Sequence, residues 1–158
     1  MTSKVIAAVS NRELEFVLSD KGVVAVAELL EDAAPRTCAA LWDLLPIRGM
    51  PYHAAYSGRE IGMVIESPAR PIPPENRTIA PQAGDVLLEY FAAGSRGNPE
   101  PRTIVALFYG RDSVPMQLDG PSPANLFARL GRGQDAFARG CEELWREGAD
   151  TLIIRRRE

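Results

Sequence analysis

Apolar and polar residues alternate early in the chain, with the spacing of a half-buried β-strand. Between residues 13 and 18 every second side chain is apolar, so one face of the segment can be buried. A polar turn at 19–22 contains a glycine, and apolar, often β-branched residues return over 23–30. Two such runs joined by a short turn predict an antiparallel hairpin.

Two later segments repeat their apolar residues with helical spacing. The first begins at Pro35, whose fixed φ suits the first turn of a helix, and ends before Pro46. Its apolar stripe is Cys38, Leu41, Trp42 and Leu45. The second runs from 134 to 147, before Gly148, and its stripe is Phe137, Cys141, Leu144 and Trp145. We expect both helices to cap the sheet and to bury both tryptophans in its core.

The other apolar runs are short and predict strands. Residues 50–66 hold two short strands broken near Ser57 and Gly58. The remaining predicted strands are 86–91, 103–109, 126–130 and 151–154. Because strands and helices do not alternate along the chain, the pattern argues against a doubly wound sheet. We therefore predict a mainly β fold, a closed or nearly closed antiparallel β-barrel capped by two α-helices, in a single domain spanning 1–158.

Prolines are concentrated between residues 68 and 81. They are Pro68, Pro71, Pro73, Pro74 and Pro81, too many for a central strand. The segment is also long for a passive connection. This pattern predicts an ordered loop or a lid, and the sequence leaves the role of the segment open.

Composition and charge restrict the partners of the protein. A net charge of −3, with acidic and basic residues mixed along the chain, disfavours nucleic-acid binding, which normally needs a basic surface. No apolar run is long enough to cross a membrane, and the apolar stretch within residues 1–10 is too short for a signal peptide. We therefore expect a cytoplasmic protein with no nucleic-acid or membrane partner. Two distant cysteines and one histidine cannot form the usual four-ligand zinc site, so we expect no metal and no cofactor.

Short motifs along nearly the whole chain carry a family resemblance. Residues 24–45 place an acidic pair ahead of a helix that opens with proline, a basic residue and threonine. Further on, Leu118-Asp119-Gly120 precedes a short strand and the second helix, and both arrangements resemble the cyclophilins. The chain also resembles an uncharacterised bacterial family with a cyclophilin-like fold, through His53-Ala54, Ser57-Gly58, Glu60, Pro74-Glu75-Asn76, Gly84-Asp85 and Trp145-Arg146-Glu147-Gly148. The resemblance implies a cyclophilin-like barrel over the whole chain.

The resemblance does not extend to the catalytic arginine of the cyclophilins. Those enzymes lower the barrier to rotation of X-Pro bonds with the arginine of a Phe-His-Arg motif, whose guanidinium donates hydrogen bonds to the substrate. The matching residues here are Tyr52-His53-Ala54, and alanine has no side-chain donor. The glutamine and paired phenylalanines of the cyclophilin groove also lack clear counterparts in 103–109. We expect no prolyl isomerase activity, and Arg59 is the only nearby guanidinium that could take the missing role.

The candidate ligand-binding residues lie in one strand-and-turn segment. They are His53, Tyr56, Ser57, Arg59 and Glu60, and the segment would line the groove of the predicted barrel. His53 and Arg59 would contact an anionic or carbonyl group of the ligand, and Tyr56 would stack on it. Ser57 and His53 could form a nucleophile and base, but the chain has no Gly-x-Ser-x-Gly elbow, and a hydrogen-bonded structural histidine is the alternative. We assign no catalytic residue.

Three classes of function remain open from the sequence. The leading one is a protein that binds a small molecule or short peptide in the barrel groove. The second is a hydrolase or isomerase acting on an amide or cyclic amide, with Glu60 or His53 as acid or base. The third is a non-catalytic accessory subunit that holds an extended segment of a partner by strand addition. An apolar sheet edge would also favour a homodimer.

Overall fold

Twelve strands and two helices make up the described part of the chain. The computed structural model describes residues 11–158, and the expectation about a signal peptide concerns residues 1–10, outside the described residues. The strands are β1 Glu13–Leu18, β2 Val23–Leu29, β3 Ile47–Gly49, β4 Tyr52–His53, β5 Glu60–Ile65, β6 Arg77–Thr78, β7 Asp85–Phe91, β8 Arg102–Phe108, β9 Met116–Gln117, β10 Gly120–Pro121, β11 Ala124–Leu130 and β12 Leu152–Arg156. The helices are α1 Pro35–Leu44 and α2 Gln134–Glu147.

Ten of the strands form one curled antiparallel sheet. Their order is β3-β12-β1-β2-β11-β7-β8-β5-β4, with β6 paired to β11, while β9 and β10 form a separate hairpin. The edge strand β3 returns toward β5, since a Cβ on Gly49 would lie 2.9 Å from the Sδ atom of Met63. No backbone pairing joins β3 to β5 within residues 11–158. The sheet is therefore a half-barrel that is not fully closed, and the predicted mainly β, nearly closed barrel with two helices is confirmed.

The inner face of the sheet and both helices share one apolar core. Leu14 and Phe16 of β1 are fully buried there with Ile61 of β5, and the helices add their buried cysteines Cys38 and Cys141. Both cysteines are free thiols, as expected from their separation. Neither helix of the described chain is long and apolar enough to cross a membrane.

One predicted core residue, Trp145, is instead 61% exposed, so that prediction is wrong. At 100° per residue its side chain lies about 80° around the helix from Phe137, at the margin of the buried stripe. Trp42 is half-buried, between the guanidinium groups of Arg12 and Arg156, which lie 4.4 and 4.7 Å from its ring centroid. The apolar stripe therefore predicts reliably which face of a helix is buried. It is less reliable for how deeply a single tryptophan on that face is buried.

The proline-rich segment 68–81 is an ordered loop that is tied to α1 and β11. The buried Asn125 side chain donates to the Pro73 carbonyl at 2.9 Å and to the Thr37 hydroxyl at 3.0 Å. Its Oδ1 atom accepts a hydrogen bond from the Glu75 N–H at 3.2 Å. The Glu75 carboxylate in turn accepts from the Thr37 N–H at 2.6 Å, in the first turn of α1, where a negative charge is favourable. One buried amide thus holds the loop, the helix and the sheet together.

We expect Asn125→Ala to lower the free energy of unfolding by about 2–4 kcal/mol. The substitution leaves several buried polar groups without a partner, and each costs on the order of 1–3 kcal/mol. Urea denaturation followed by circular dichroism measures the change. Gln82→Ala, at an exposed residue, should stay within about 0.5 kcal/mol of the unsubstituted protein. Equal effects of the two substitutions would show that the amide does not hold the loop.

Candidate functional site

The segment that carries the five candidate residues changes direction between β4 and β5. A single helical turn, Ala55–Ser57, follows β4, and Gly58 has a φ of 105°. A Cβ on Gly58 would lie 2.8 Å from the Ser113 hydroxyl oxygen, so only glycine fits this close approach. Because Ile61 enters the inner core, alternation along β5 places Glu60 on the outer face of the sheet.

His53 belongs to the inner side of this segment. Its Nε2 atom lies 2.5 Å from the Tyr109 hydroxyl, and its ring stacks on Trp145 with centroids 5.4 Å apart. Burial lowers the pKa of His53, so the ring is neutral at neutral pH. Its buried Nδ1 atom has no hydrogen-bond partner among residues 11–158. The contacts of this histidine are thus with Tyr109 and with Trp145 of α2.

Arg59 lies near the histidine and away from the outer face. Its side chain is exposed and packs over Gly110. Its positive charge lowers the pKa of Tyr109, although burial, the larger effect, raises that pKa to about 12. Arg59 and His53 therefore share Tyr109 as a neighbour.

Glu60 is a buried carboxyl on the outer face, with 5% of its surface exposed. Burial raises its pKa to about 7, the Ser57 hydroxyl lowers the pKa by hydrogen bonding, and the negative charge of Glu89 raises it. Tyr56, with 67% of its surface exposed, is near enough to Glu60 for that charge to raise the tyrosine pKa, which burial also raises. The structure therefore brings Tyr56, Ser57 and Glu60 together and separates them from His53 and Arg59.

Glu89 is a second buried carboxyl on the same face, again 5% exposed. Burial raises its pKa to about 7, although hydrogen bonding to Gln117 and the charge of Arg96 both lower it. The Gln117 amide nitrogen donates to Oε2 of Glu89 at 3.1 Å. Neither Glu60 nor Glu89 forms an ion pair with any residue of the described chain. Two buried carboxyls without a counter-ion are unusual, because burial disfavours their charged form.

A cavity of about 340 Å³, which we call the outer groove, opens beside Glu89. It is lined by Phe91, Arg96, Asn98, Arg102, Gln117, Leu118 and Asp119. Arg96 is paired with Asp119 at 2.6 Å, whereas Arg102 forms no ion pair within residues 11–158. Gln117 lines the groove and also binds Glu89, so it connects the open cavity to the buried carboxyl.

A larger groove, of about 930 Å³, lies between α1 and the proline-rich loop. Its walls are mostly alanine, leucine, isoleucine and proline side chains, with Arg36, Asp43 and Arg70 among the lining residues. None of its lining residues has a buried polar side-chain atom without a hydrogen-bond partner. The outer groove is therefore the candidate functional site, because it combines a cavity with titratable groups whose pKa values are perturbed.

Sequence reasoning identified Glu60 but missed Glu89, Arg102 and Gln117. Glu89 is the single charged residue within the apolar run 86–91. A lone charged residue in a strand that is buried on both faces could have indicated a candidate site residue. Arg102 and Gln117 carry no local signal, since they reach the groove only through strand pairing and the 110–123 loop. No group of three histidine, cysteine, aspartate or glutamate side chains in the described chain is arranged to hold a metal ion.

The fold is shared with solved structures of low sequence identity. The Mimivirus cyclophilin is 16% identical with a TM-score of 0.57, covering 94% of this chain and 88% of its own. The hypothetical protein AF2241 from Archaeoglobus fulgidus is 20% identical with a TM-score of 0.56, covering 96% of this chain and 100% of its own. McbB, solved in complex with tryptophan, is 19% identical with a TM-score of 0.64 over 91% of this chain, which spans 44% of McbB. The fold thus defines a cyclophilin-like protein.

Family membership follows from the sequence match. The chain belongs to DUF3830, a family of proteins of unknown function, whose model matches residues 16–154. No curated protein matches the sequence. The cyclophilin-like fold is therefore shown, while the family carries no activity that could be transferred.

The contribution of Glu60 and Glu89 to stability should fall as the pH rises from about 4.5 to about 7. Glu60 and Glu89 have pKa values of about 7 in the folded protein, against 4.5 for an unperturbed glutamate. Below 4.5 both carboxyls are protonated in both states. Between the two values the unfolded chain releases protons that the folded protein keeps, which lowers the free energy of unfolding by up to about 3 kcal/mol per carboxyl. Above 7 the decrease levels off.

Glu60→Gln and Glu89→Gln should each flatten this decrease, because an amide does not titrate. Urea denaturation at a series of pH values provides the measurement. Glu66→Gln, at an exposed residue that directly follows β5, should keep the full decrease. An unaltered pH profile in both buried variants would contradict the raised pKa values.

Proposed function

We propose that this protein binds a small molecule or short peptide in the outer groove. One observation carries the proposal: an open cavity of about 340 Å³ is connected through Gln117 to the buried carboxyl of Glu89. Burying such a carboxyl without a counter-ion costs stability, and costs of this kind are characteristic of functional sites. The cavity volume also lies in the usual range for small-molecule sites, roughly 300–1,000 Å³.

The geometry changes which predicted residues take part. Tyr56, Ser57 and Glu60 lie on the groove side of the sheet, whereas His53 and Arg59 pack around Tyr109. We therefore retain Tyr56, Ser57 and Glu60 as proposed ligand-site residues. Glu89, Gln117 and Arg102 replace the histidine and Arg59 in this proposal.

A ligand of the outer groove should raise the melting temperature in a thermal-shift screen of amino acids, short peptides, small amides and hydantoins. At one hundred times its dissociation constant, a ligand adds about 2.7 kcal/mol to the free energy of unfolding. Arg102→Gln and Gln117→Ala should reduce that shift. The matched substitutions Arg48→Gln and Gln82→Ala, at exposed residues outside the groove, should preserve it. A shift that survives all four substitutions would place the binding site elsewhere.

The protein should not accelerate the cis–trans isomerisation of a proline-containing peptide. Ala54 stands where the cyclophilins have arginine, and its side chain is fully buried and cannot donate a hydrogen bond to a substrate. Arg59, the nearest alternative, packs over Gly110 beside Tyr109. A protease-coupled peptide assay measures the rate against the uncatalysed reaction, which takes tens to hundreds of seconds. Acceleration that disappears in Arg59→Ala would overturn this expectation.

A second candidate function is acid–base catalysis on an amide or cyclic amide. It is favoured by Glu60, whose pKa of about 7 lets the carboxyl both accept and donate a proton near neutral pH. The Ser57 hydroxyl beside it could help to orient a substrate carbonyl. Turnover of a hydantoin or a peptide amide that is lost in Glu60→Gln and kept in Glu66→Gln would favour this function over binding alone.

A further inference from the structure

We propose that the ligand of the outer groove carries both an ammonium group and a carboxylate, as a free amino acid or an unblocked short peptide does. This inference rests on the proposed function, because it names the ligand class of the same groove. In it, the buried carboxyl of Glu89 binds the ammonium group and Arg102 binds the carboxylate.

The ammonium end of the ligand is indicated by the hydrogen bond that Glu89 already accepts. Gln117 lines the groove, and its amide nitrogen donates to Oε2 of Glu89 at 3.1 Å, so a neutral N–H donor occupies this position. An ammonium group in its place would donate a charge-assisted hydrogen bond and would give Glu89 the ion-pair partner that it lacks within residues 11–158. Displacement of one side-chain amide therefore exposes a binding position for a cation.

Two tyrosine rings lie close to the same carboxyls. The charges of Glu60 and Glu89 both raise the pKa values of Tyr52 and Tyr56, in addition to the larger effect of burial. The Tyr52 ring lies over Gly62 on β5, where an added Cβ would be 2.7 Å from the ring. Aromatic faces beside carboxylates form the usual environment of a bound ammonium group. A divalent metal ion fits less well, because no third acidic, histidine or cysteine ligand joins the pair in the described chain.

The carboxylate end of the ligand is indicated by Arg102. On the outer face Glu89 lies opposite Ile104 and Phe91 opposite Arg102, which makes Glu89 and Arg102 diagonal neighbours. The Cα atoms of such neighbours are about 7–8 Å apart, so the two side chains can reach the two ends of one small molecule. Arg102 lines the groove and forms no ion pair within residues 11–158, so its guanidinium is available for bidentate pairing.

Matched ligands test the inference. The probes are the common L-amino acids, dipeptides that contain them, and the N-acetylated form of each, and binding is measured by thermal shift and then by calorimetry. The best free compound should bind at least roughly tenfold more tightly than its N-acetylated form, since acetylation removes the positive charge. Comparing the affinities of the amino acids with those of the dipeptides identifies whether a free amino acid or a short peptide fits the groove better.

Calorimetry in two buffers of different ionisation enthalpy supplies a readout specific to Glu89. Because its pKa is raised to about 7, this carboxyl is partly protonated at neutral pH, and binding of an ammonium group should release protons to the buffer. Glu89→Gln should reduce both affinity and proton release, whereas Glu66→Gln should change neither. Arg102→Gln should weaken the binding of free amino acids more than the binding of phenethylamine, because phenethylamine has no carboxylate. Circular dichroism confirms that each variant is folded.

The outcomes separate the inference from the proposed function. Equal binding of free and N-acetylated compounds, or binding without proton release, would overturn the inference while leaving a ligand in the groove. If only neutral amides or hydantoins bind the groove, the inference is wrong and the proposed function stands. If no probe of any charge binds, both are wrong.

Discussion

Burial of the central strands on both faces is the constraint on which the rest of the structure depends. The inner faces of β7 and β8 enter the main core. On their outer faces, Leu87, Ala106 and Phe108 join Ala124 and Leu126 of β11 in a second apolar cluster. Strands of this kind read as nearly continuous apolar runs because neither face meets water. Any polar side chain on them is therefore desolvated, and its pKa shifts or it finds a partner.

The candidate site is a direct consequence of this double burial. Glu89 lies on β7 and Glu60 begins β5, on either side of β8, and each has a pKa raised to about 7. The 110–123 loop supplies Gln117 and closes over the outer face beside them. Packing therefore raises the pKa of both carboxyls, and the groove opens beside Glu89.

The likeness to the cyclophilin structure is a likeness of fold: a curled sheet with two helices. Ala54, which the sequence resemblance matches to the catalytic arginine of the cyclophilins, is fully buried. The five residues predicted as a site divide around the β4–β5 turn, with His53 against Tyr109 and Trp145 and with Glu60 on the opposite face. A fold can thus be shared while the side chains that face its groove carry different chemistry.

The sequence by itself determined the mainly β fold and both helices, because periodicity and local motifs depend on nearby residues. It could not indicate β3, which follows Pro46 directly and, at three residues, is too short to show a periodic pattern. It also could not indicate the β9–β10 hairpin, which lies within an irregular segment. Only the tertiary structure decided that Arg102 and Gln117 meet Glu89, and that His53 packs beneath Trp145. Those contacts join residues that are far apart in the chain. They depend on strand register and on loop position, which no local sequence pattern encodes.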